Sequence, residues 1–231
     1  MFKIALLFYF VLPYTGEKCP SMCNCKYGKA TCSGKEISKL PNISVVTTEL
    51  MIQDTNITRM INNLETLTNL RSLSIWRTPL LSLVISKRMI SLLSVHISNC
   101  EWLEPLHIDI KAPGLETLNI QDCSIPMINS KTFHVPESLV QLNMRYGMIR
   151  SFNTSFLNLH NVKTLLLDGN PLTDLFWLQN MKNLVTLSLR HLKLAMFTFQ
   201  NEFAPNLTEI DLRHSSIYSV VIDDKLGSLQ T

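Results

Sequence analysis

One apolar spacing recurs along most of this chain and limits what the chain can fold into. The clearest copy reads Leu115-x-x-Leu118-x-Ile120-x-x-Cys123-x-Ile125-x-x-Ile128. Eight copies follow one another at steps of 22 to 24 residues, and they begin at Thr47, Leu70, Leu92, Leu115, Leu139, Val162, Leu184 and Leu207. A fixed period of this length predicts a solenoid, because each unit is too small to bury a core alone and stacks on its neighbours. A solenoid offers a long open surface, so we predict binding rather than catalysis.

The composition is that of a folded chain without a strong charge bias. Of 231 residues, 46% are apolar and 17% are charged, and the formal net charge is +3. These values argue against a disordered chain. No run of five basic residues occurs, so we predict no nucleic-acid partner. The sequence has no Gly-rich phosphate loop, no H-E-x-x-H and no G-x-S-x-G, so we predict a protein that is not an enzyme and binds no cofactor.

Residues 1–16 have the pattern of a secretory signal peptide. An apolar run from Ile4 to Leu12 follows Lys3, and Pro13 ends it. The run is too short to span a bilayer, and small residues come after it. An uncleaved anchor or a buried strand is the alternative.

The cysteines support export through an oxidising compartment. Four of the six lie within fourteen residues, in the pattern Cys19-Pro-x-x-Cys23-x-Cys25-x6-Cys32. Such density after a signal peptide predicts disulfides. A zinc site is the alternative, but the Cys-x-Cys spacing is awkward for a tetrahedral metal and no histidine is near. We therefore predict no metal.

The cysteine cluster and the sequence after it resemble a known protein family. The motif Cys19-Pro-Ser-Met-Cys23-Asn-Cys25, followed by Cys32, Ile37-Ser-Lys-Leu40-Pro41 and Leu50-x-Ile52, is similar to the cysteine-rich N-terminal cap of extracellular leucine-rich repeat proteins. With the repeats, the resemblance covers nearly all of residues 19–231. It implies that Cys19 pairs with Cys25 and Cys23 with Cys32, whereas the sequence alone leaves other connectivities open.

The resemblance implies an α/β-type leucine-rich repeat solenoid, or horseshoe. Its parallel concave sheet would be formed by the L-x-x-L-x-L segments, and its convex side would be irregular or short-helical. Phe133, Phe156 and Phe203, each 17 to 19 residues after a repeat start, would be the buried convex phenylalanines. We expect a signal peptide at 1–16, a cap at 17–46 and eight repeats at 47–231, with the chain truncated before a ninth.

One position in each repeat, here called the ladder position, holds asparagine in the family consensus and bonds the backbone after the strand. The eight ladder residues are Thr55, Thr78, Cys100, Cys123, Gly147, Asn170, Leu192 and Ser215. Gly147 and Leu192 have no polar side chain, so we predict a loose ladder at these repeats. For Cys100 and Cys123 we favour two buried thiols, because neighbouring parallel strands place side chains side by side; a third disulfide is the alternative.

Side chains alternate along a strand, so the register predicts which residues line the concave face. The candidate partner-binding residues are Trp76, Arg77, Asn119, Asp122, Arg145, Tyr146, Arg190, His191, Arg213 and His214. Trp, Tyr and Arg combine contact area with directional polar groups and dominate binding hot spots. Early repeats carry more acidic residues and late repeats more arginine, so we predict that an acidic partner surface docks on the late repeats. An ordinary solvated sheet face is the alternative.

Four N-x-S/T sequons predict glycosylation at Asn42, Asn56, Asn153 and Asn206. A glycan at Asn206, just before a strand, would crowd one rim of the late repeats. We predict an extracellular protein, secreted or at the cell surface, that binds a protein ligand or co-receptor through its concave face. This resembles the ectodomains of leucine-rich repeat receptors. The alternative is a matrix structural protein resembling small leucine-rich proteoglycans. Any membrane attachment would lie in a part after residue 231.

Overall fold

The ten-stranded sheet of this protein, which we call the concave sheet, joins the N-terminal cap to the repeats. The computed structural model describes residues 19–61, 64–100, 105–152, 159–193, 196–199, 204–217 and 219–222. Within these residues the strand order of the concave sheet is β1-β2-β3-β5-β7-β9-β12-β14-β15-β17. The strands are, in chain order, β1 (Cys23–Lys26), β2 (Lys29–Ser33), β3 (Glu49–Gln53), β4 (Arg59–Ile61), β5 (Ser72–Trp76), β6 (Ser82–Ile85), β7 (Ser94–Ser98), β8 (His107–Ile110), β9 (Thr117–Gln121), β10 (Met127–Ile128), β11 (Phe133–His134), β12 (Gln141–Asn143), β13 (Ser151–Phe152), β14 (Thr164–Leu166), β15 (Thr186–Ser188), β16 (Met196–Phe199), β17 (Glu209–Asp211) and β18 (Ser219–Ile222).

The repeat spacing locates the strands of the concave sheet. From β3 onward, each strand of this sheet begins two residues after a predicted repeat start. Neighbouring strands pair in parallel and without a shift, so equivalent residues form columns across the sheet. One inward column is Leu50, Leu73, Val95, Leu118, Leu142, Leu165, Leu187 and Ile210. The leucine-rich repeat solenoid is therefore confirmed.

Burial of the inward columns holds the turns together. Leu73, Leu118 and Leu165 are fully buried, and each contacts its equivalents in the adjoining turns through the same core. Full burial of such a side chain contributes about 1.5–3 kcal/mol relative to exposure. Outward residues of the same strands are half-buried or exposed, so the burial pattern alternates along the strand. The two faces of the sheet thus have separate roles, cohesion inside and contact outside.

The convex side contains short parallel strands, which the sequence analysis did not predict. β4, β6, β8 and β11 form a four-stranded sheet, and β10 pairs with β13 and β16 with β18. The segments Ser82–Ile85 and His107–Ile110 are rich in β-branched residues, which favour strands over helix. A 3₁₀ helix spans Phe176–Asn180. Phe133 is fully buried from this side, while Phe156 and Phe203 lie outside the described residues.

Two disulfides close the N-terminal cap. Cys19 pairs with Cys25 and Cys23 with Cys32, with Cα–Cα separations of 5.8 and 4.1 Å. Cys23 and Cys32 are also register partners across the antiparallel pair β1–β2. The pairing is the one that the family resemblance implies. β2 then pairs in parallel with β3, so the cap hairpin extends the concave sheet and covers its first repeat strand.

The interpretation of Cys100 and Cys123 as two free thiols is wrong. The structure joins them in a disulfide, with a Cα–Cα separation of 4.7 Å. Adjacent turns bring equivalent Cα atoms within the range that a disulfide spans. The preceding residues, Asn99 and Asp122, have φ values of 55° and 52°, so both cysteines follow the same turn of the backbone into the core. With this bridge all six cysteines of the sequence are paired.

The predicted looseness of the ladder at Gly147 and Leu192 is also wrong. Asn170 Oδ1 accepts the N–H of Gly147 at 2.9 Å, and Ser215 Oγ accepts the N–H of Leu192 at 3.0 Å. A ladder side chain therefore bonds the turn before its own, and a repeat without a polar ladder residue is served by the next one. At the other end, the hydroxyls of Thr55 and Thr78 lie 3.2 Å apart.

Several sequence predictions are not tested by the described residues. The predicted signal peptide and the end of the last repeat fall outside the described residues. The boundaries of the cap and the repeat region stay predictions as well. No helix in the described part of the chain has the length and apolar character to cross a membrane.

The disulfide between neighbouring turns is directly testable. Unfolding the protein in denaturant without a reductant should expose no maleimide-reactive thiol. Replacing both Cys100 and Cys123 with serine should lower the free energy of unfolding by about 3 kcal/mol, because the bridge restricts the unfolded chain. Urea unfolding measures the loss. Two reactive thiols in the unfolded wild-type protein would contradict the pairing.

Candidate recognition surface

The outward side chains of the concave sheet form columns, like the inward ones. We call the outward side of β3, β5, β7 and β9, continued in each repeat up to the residue just before the ladder position, the early face. The corresponding side of β12, β14, β15 and β17 is the late face. All ten candidate partner-binding residues lie on these two faces. The structure therefore brings them into one surface, although their contact with a partner stays a prediction.

The residue just before each ladder position, here called the rim residue, has a left-handed backbone in every repeat. The eight rim residues are Asp54, Arg77, Asn99, Asp122, Tyr146, Gly169, His191 and His214, with φ between 46° and 68°. Asp, Asn and Gly accept this conformation readily, whereas Arg and Tyr adopt it at a cost of about 1–2 kcal/mol. Because it recurs in every repeat whatever the residue, the turn after the strand imposes this conformation.

Ion pairs between neighbouring turns organise the late face. Arg145 Nε lies 2.5 Å from Asp168 Oδ2, and the Asp168 carboxylate is almost fully buried. Its other oxygen accepts the Ser188 hydroxyl at 2.5 Å and the Arg190 N–H at 2.9 Å. A buried carboxylate is stable only with such compensation. The result is a guanidinium fixed against the sheet rather than one free in solvent.

Asp211 joins two further arginines of the late face. Arg213 contacts it through Nε and Nη2, the latter at 2.8 Å, and Arg190 donates from Nε at 2.6 Å. Hydrogen bonds from Arg213, and then from Arg190, hold the pKa of Asp211 far below its usual range. The same contact raises the pKa of Arg213. The positive charge that the sequence suggested for the late repeats is therefore largely balanced by Asp168 and Asp211.

Aromatic rings follow the rim of the late face. A Cβ atom added to Gly169 would clash with the Cδ1 and Cε1 atoms of Tyr146, so the tyrosine ring covers this glycine. In the next two turns the rings of His191 and His214 stack, with centroids 5.1 Å apart and planes 11° from parallel. Tyr146 is 42% exposed. The rim thus presents a strip of flat rings beside the paired arginines.

The early face has a different character. Arg77 binds Asp54 through two hydrogen bonds of 2.7 and 2.6 Å, and this guanidinium lowers the pKa of Asp54. Trp76 is 41% exposed on the adjacent column. Asn119 is half-buried, and its Oδ1 atom is buried without a hydrogen-bond partner in the described structure. Asp122 forms no ion pair with any described residue.

Three of the four sequons lie within the described residues, and their asparagines are exposed. Asn56 Nδ2 donates to the Lys35 carbonyl, and Asn206 Nδ2 donates to the Lys182 carbonyl at 2.8 Å. Asn42 forms no side-chain hydrogen bond with the described residues. Asn153 lies outside them. Glycosylation stays a prediction at all four positions.

Sequence reasoning missed a second ladder of asparagines. Each donates its Nδ2 to a carbonyl of the preceding turn, 23 or 24 residues earlier, and they are Asn69, Asn161, Asn183 and Asn206. The available signal was an asparagine directly before the repeat start. The roles of Asp168 and Asp211 were missed too, although opposite charges about one repeat apart are a usable sign of pairing. No three His, Cys, Asp or Glu side chains of the described ranges gather as metal ligands.

A family model and one solved structure agree with this architecture. Residues 113–172 match the family model for the leucine rich repeat. The crystal structure of human 5T4 (Wnt-activated inhibitory factor 1, trophoblast glycoprotein) matches with a TM-score of 0.67 at 16% sequence identity, over 87% of this chain and 83% of that chain. The TLR13–ssRNA13 complex matches with a TM-score of 0.43 at 16% identity, over 75% of this chain and 36% of that chain. Comparison with curated protein sequences gives no match.

The contact between Tyr146 and Gly169 predicts a coupled effect on stability. Gly169→Ala should lower the free energy of unfolding by about 1–3 kcal/mol, because φ is +68° and the new methyl group meets the ring. In a Tyr146→Ala background the loss should be smaller, since only the backbone cost remains. Urea unfolding of the four proteins measures the coupling. Equal losses in both backgrounds would show that the ring does not cover Gly169.

Proposed function

We propose that this chain, which belongs to the leucine-rich repeat proteins with a cysteine-rich N-terminal cap, is an extracellular recognition module that binds a protein partner through its concave sheet. The observation that carries the proposal is the late face, where exposed rings and arginines are fixed by contacts between turns. Such a surface loses little conformational entropy on binding, because its side chains are already ordered.

Three features make the late face suitable as a hot spot. Tyr146, His191 and His214 offer flat contact area along the rim. Arg145 uses Nε for Asp168, and its terminal nitrogens have no partner among the described residues, so they remain free to donate. The balance of charge means that a partner carboxylate would be recognised at short range rather than attracted from a distance. We therefore expect a partner surface with apolar area beside single carboxylates.

The disulfides and the leader support a place outside the cell. The three disulfides need an oxidising compartment to form, and the apolar leader at 1–16 would direct the chain there. In that compartment the sequons at Asn42, Asn56, Asn153 and Asn206 are candidates for glycans. We propose a secreted or cell-surface protein whose partner is a ligand or co-receptor. We propose binding rather than a reaction, since repeat solenoids present extended concave surfaces for binding.

Two matched tyrosines provide the test of the late face. Tyr146 and Tyr27 are both exposed and both have a left-handed backbone, with φ of 54° and 50°, but Tyr27 lies at the tip of the cap hairpin. The full chain is screened against an array of purified extracellular protein ectodomains, and a binder is titrated by surface plasmon resonance. Tyr146→Ala should weaken that complex by about tenfold or more.

Tyr27→Ala is the control and should change the affinity by less than about twofold. Both variants should remain folded, because neither ring is part of the core. Equal affinities for wild type and Tyr146→Ala, or a larger loss for Tyr27→Ala, would contradict recognition by the late face.

A further inference from the structure

We propose a second binding site, for a hydroxyl-rich glycan, on the early face between Arg71 and Trp76. The site is the outward surface of two neighbouring strands, which we call the serine basin. Its floor is formed by the outward residues of β5 and β7 other than Trp76, which are Ser72, Ser74, Ser94, His96 and Ser98. Trp76 closes one end beside Ser98, its register partner. The site is distinct from the late face, and it extends the proposed function to a different class of ligand.

The basin is bordered by the outward residues of the two adjoining strands. β3 carries Glu49, Met51 and Gln53 on one side, and β9 carries Thr117, Asn119 and Gln121 on the other. Ser94 Oγ donates to Ser72 Oγ at 3.0 Å, so the floor is tied together. At the end away from Trp76, the basin opens into a shallow cavity lined by Thr48, Glu49, Arg71, Ser72, Leu93 and Ser94.

The polar groups around the basin are available, in contrast to those of the late face. Within the described ranges, the Trp76 indole N–H, the Ser74 hydroxyl and the side-chain amides of Gln53 and Gln121 form no hydrogen bond with protein. On the late face, Asp168, Ser188 and Asp211 bond one another or the arginines. Free donors and acceptors beside an exposed aromatic ring can serve a ligand without breaking a contact within the protein.

Charge decides the class of ligand. No outward residue of β5, β7 or β9 is acidic or basic apart from His96, and burial lowers the pKa of His96, which favours its neutral form. A neutral polar floor suits a ligand with many hydroxyl groups, each able to donate and accept. The CH face of a sugar ring also packs well on an exposed aromatic ring such as that of Trp76.

The chemistry of the basin makes a protein surface a poorer fit. Protein interfaces bury an apolar centre, and here the centre would be the Ser74 hydroxyl and the His96 imidazole, with Met51 as their apolar neighbour in the same row. From Ser72 to Trp76 the strand extends about 13 Å, which suits a short oligosaccharide better than a single sugar. Arg71 forms no ion pair with the described residues, so a carboxylate on a sugar would meet a free cation at this end.

The test applies the full chain to an array of neutral oligosaccharides and their sialylated counterparts, followed by calorimetric titration of the strongest binder. We expect wild type to bind a neutral oligosaccharide. Trp76→Ala should weaken this complex by about tenfold or more. Tyr146→Ala, which removes an exposed ring of the late face, is the matched control and should change it by less than about twofold.

A second variant acts without removing the ring. Ser74→Gln fills the floor and should also weaken glycan binding by about tenfold, whereas Trp76→Phe should keep most of it. A tighter complex with the sialylated form, returned to the neutral level by Arg71→Gln, would support the site and place its acidic sugar beside Arg71. The unfolding midpoint of each variant is measured as well, which separates loss of binding from loss of folding.

Three results would overturn the proposal. The first is that wild type binds no glycan of the array. The second is that Trp76→Ala and Tyr146→Ala weaken glycan binding equally. The third is that Trp76→Ala and Ser74→Gln weaken only the complex with a protein ectodomain. In the last case the basin would be part of a protein interface. Failure here leaves the late face untouched, because that surface is tested with Tyr146→Ala and a protein partner.

Discussion

In-register pairing between successive turns is the constraint on which the rest of this structure depends. Each concave strand hydrogen-bonds its neighbour without a shift, so a residue meets its own equivalents on both sides. Any property that the sequence repeats therefore becomes a column. Leucines become a continuous core, left-handed rim residues become an edge, and ladder residues become a row of bonds between turns. Because each turn contacts mainly its nearest neighbours, stability is close to a sum of these contacts.

The columns separate cohesion from recognition. Inward positions of the strands must hold apolar residues, since a polar side chain there would be buried without a hydrogen-bond partner. Outward positions are free of that demand, and the chain uses them differently in its two halves. On the late face, Arg145, Asp168 and Asp211 satisfy one another across turns. On the early face, the Trp76 indole N–H and the Ser74 hydroxyl form no hydrogen bond with the described residues. One fold can thus carry two surfaces of different chemistry.

Sequence reasoning reached the elements that periodicity controls. The repeat starts located the strands of the concave sheet, and the cap disulfides followed from the family resemblance. It failed where the direction of a side chain determines which contact forms between turns. The bridge between Cys100 and Cys123 depends on the left-handed residues before them, and the bond from Asn170 to Gly147 depends on a side chain that reaches back one turn. The convex strands depend on β-branched residues in the return segments, which carry no fixed period.

Two adjacent residues of β14 test the central claim directly. Leu165 is fully buried between Leu142 and Leu187, and its neighbour Thr164 points outward in the same strand. Urea unfolding should show that Leu165→Ala lowers the free energy of unfolding by about 2–5 kcal/mol, and that Thr164→Ala changes it by less than about 0.5 kcal/mol. Similar losses for the two variants would contradict a solenoid in which inward columns supply the cohesion and outward columns are free for binding.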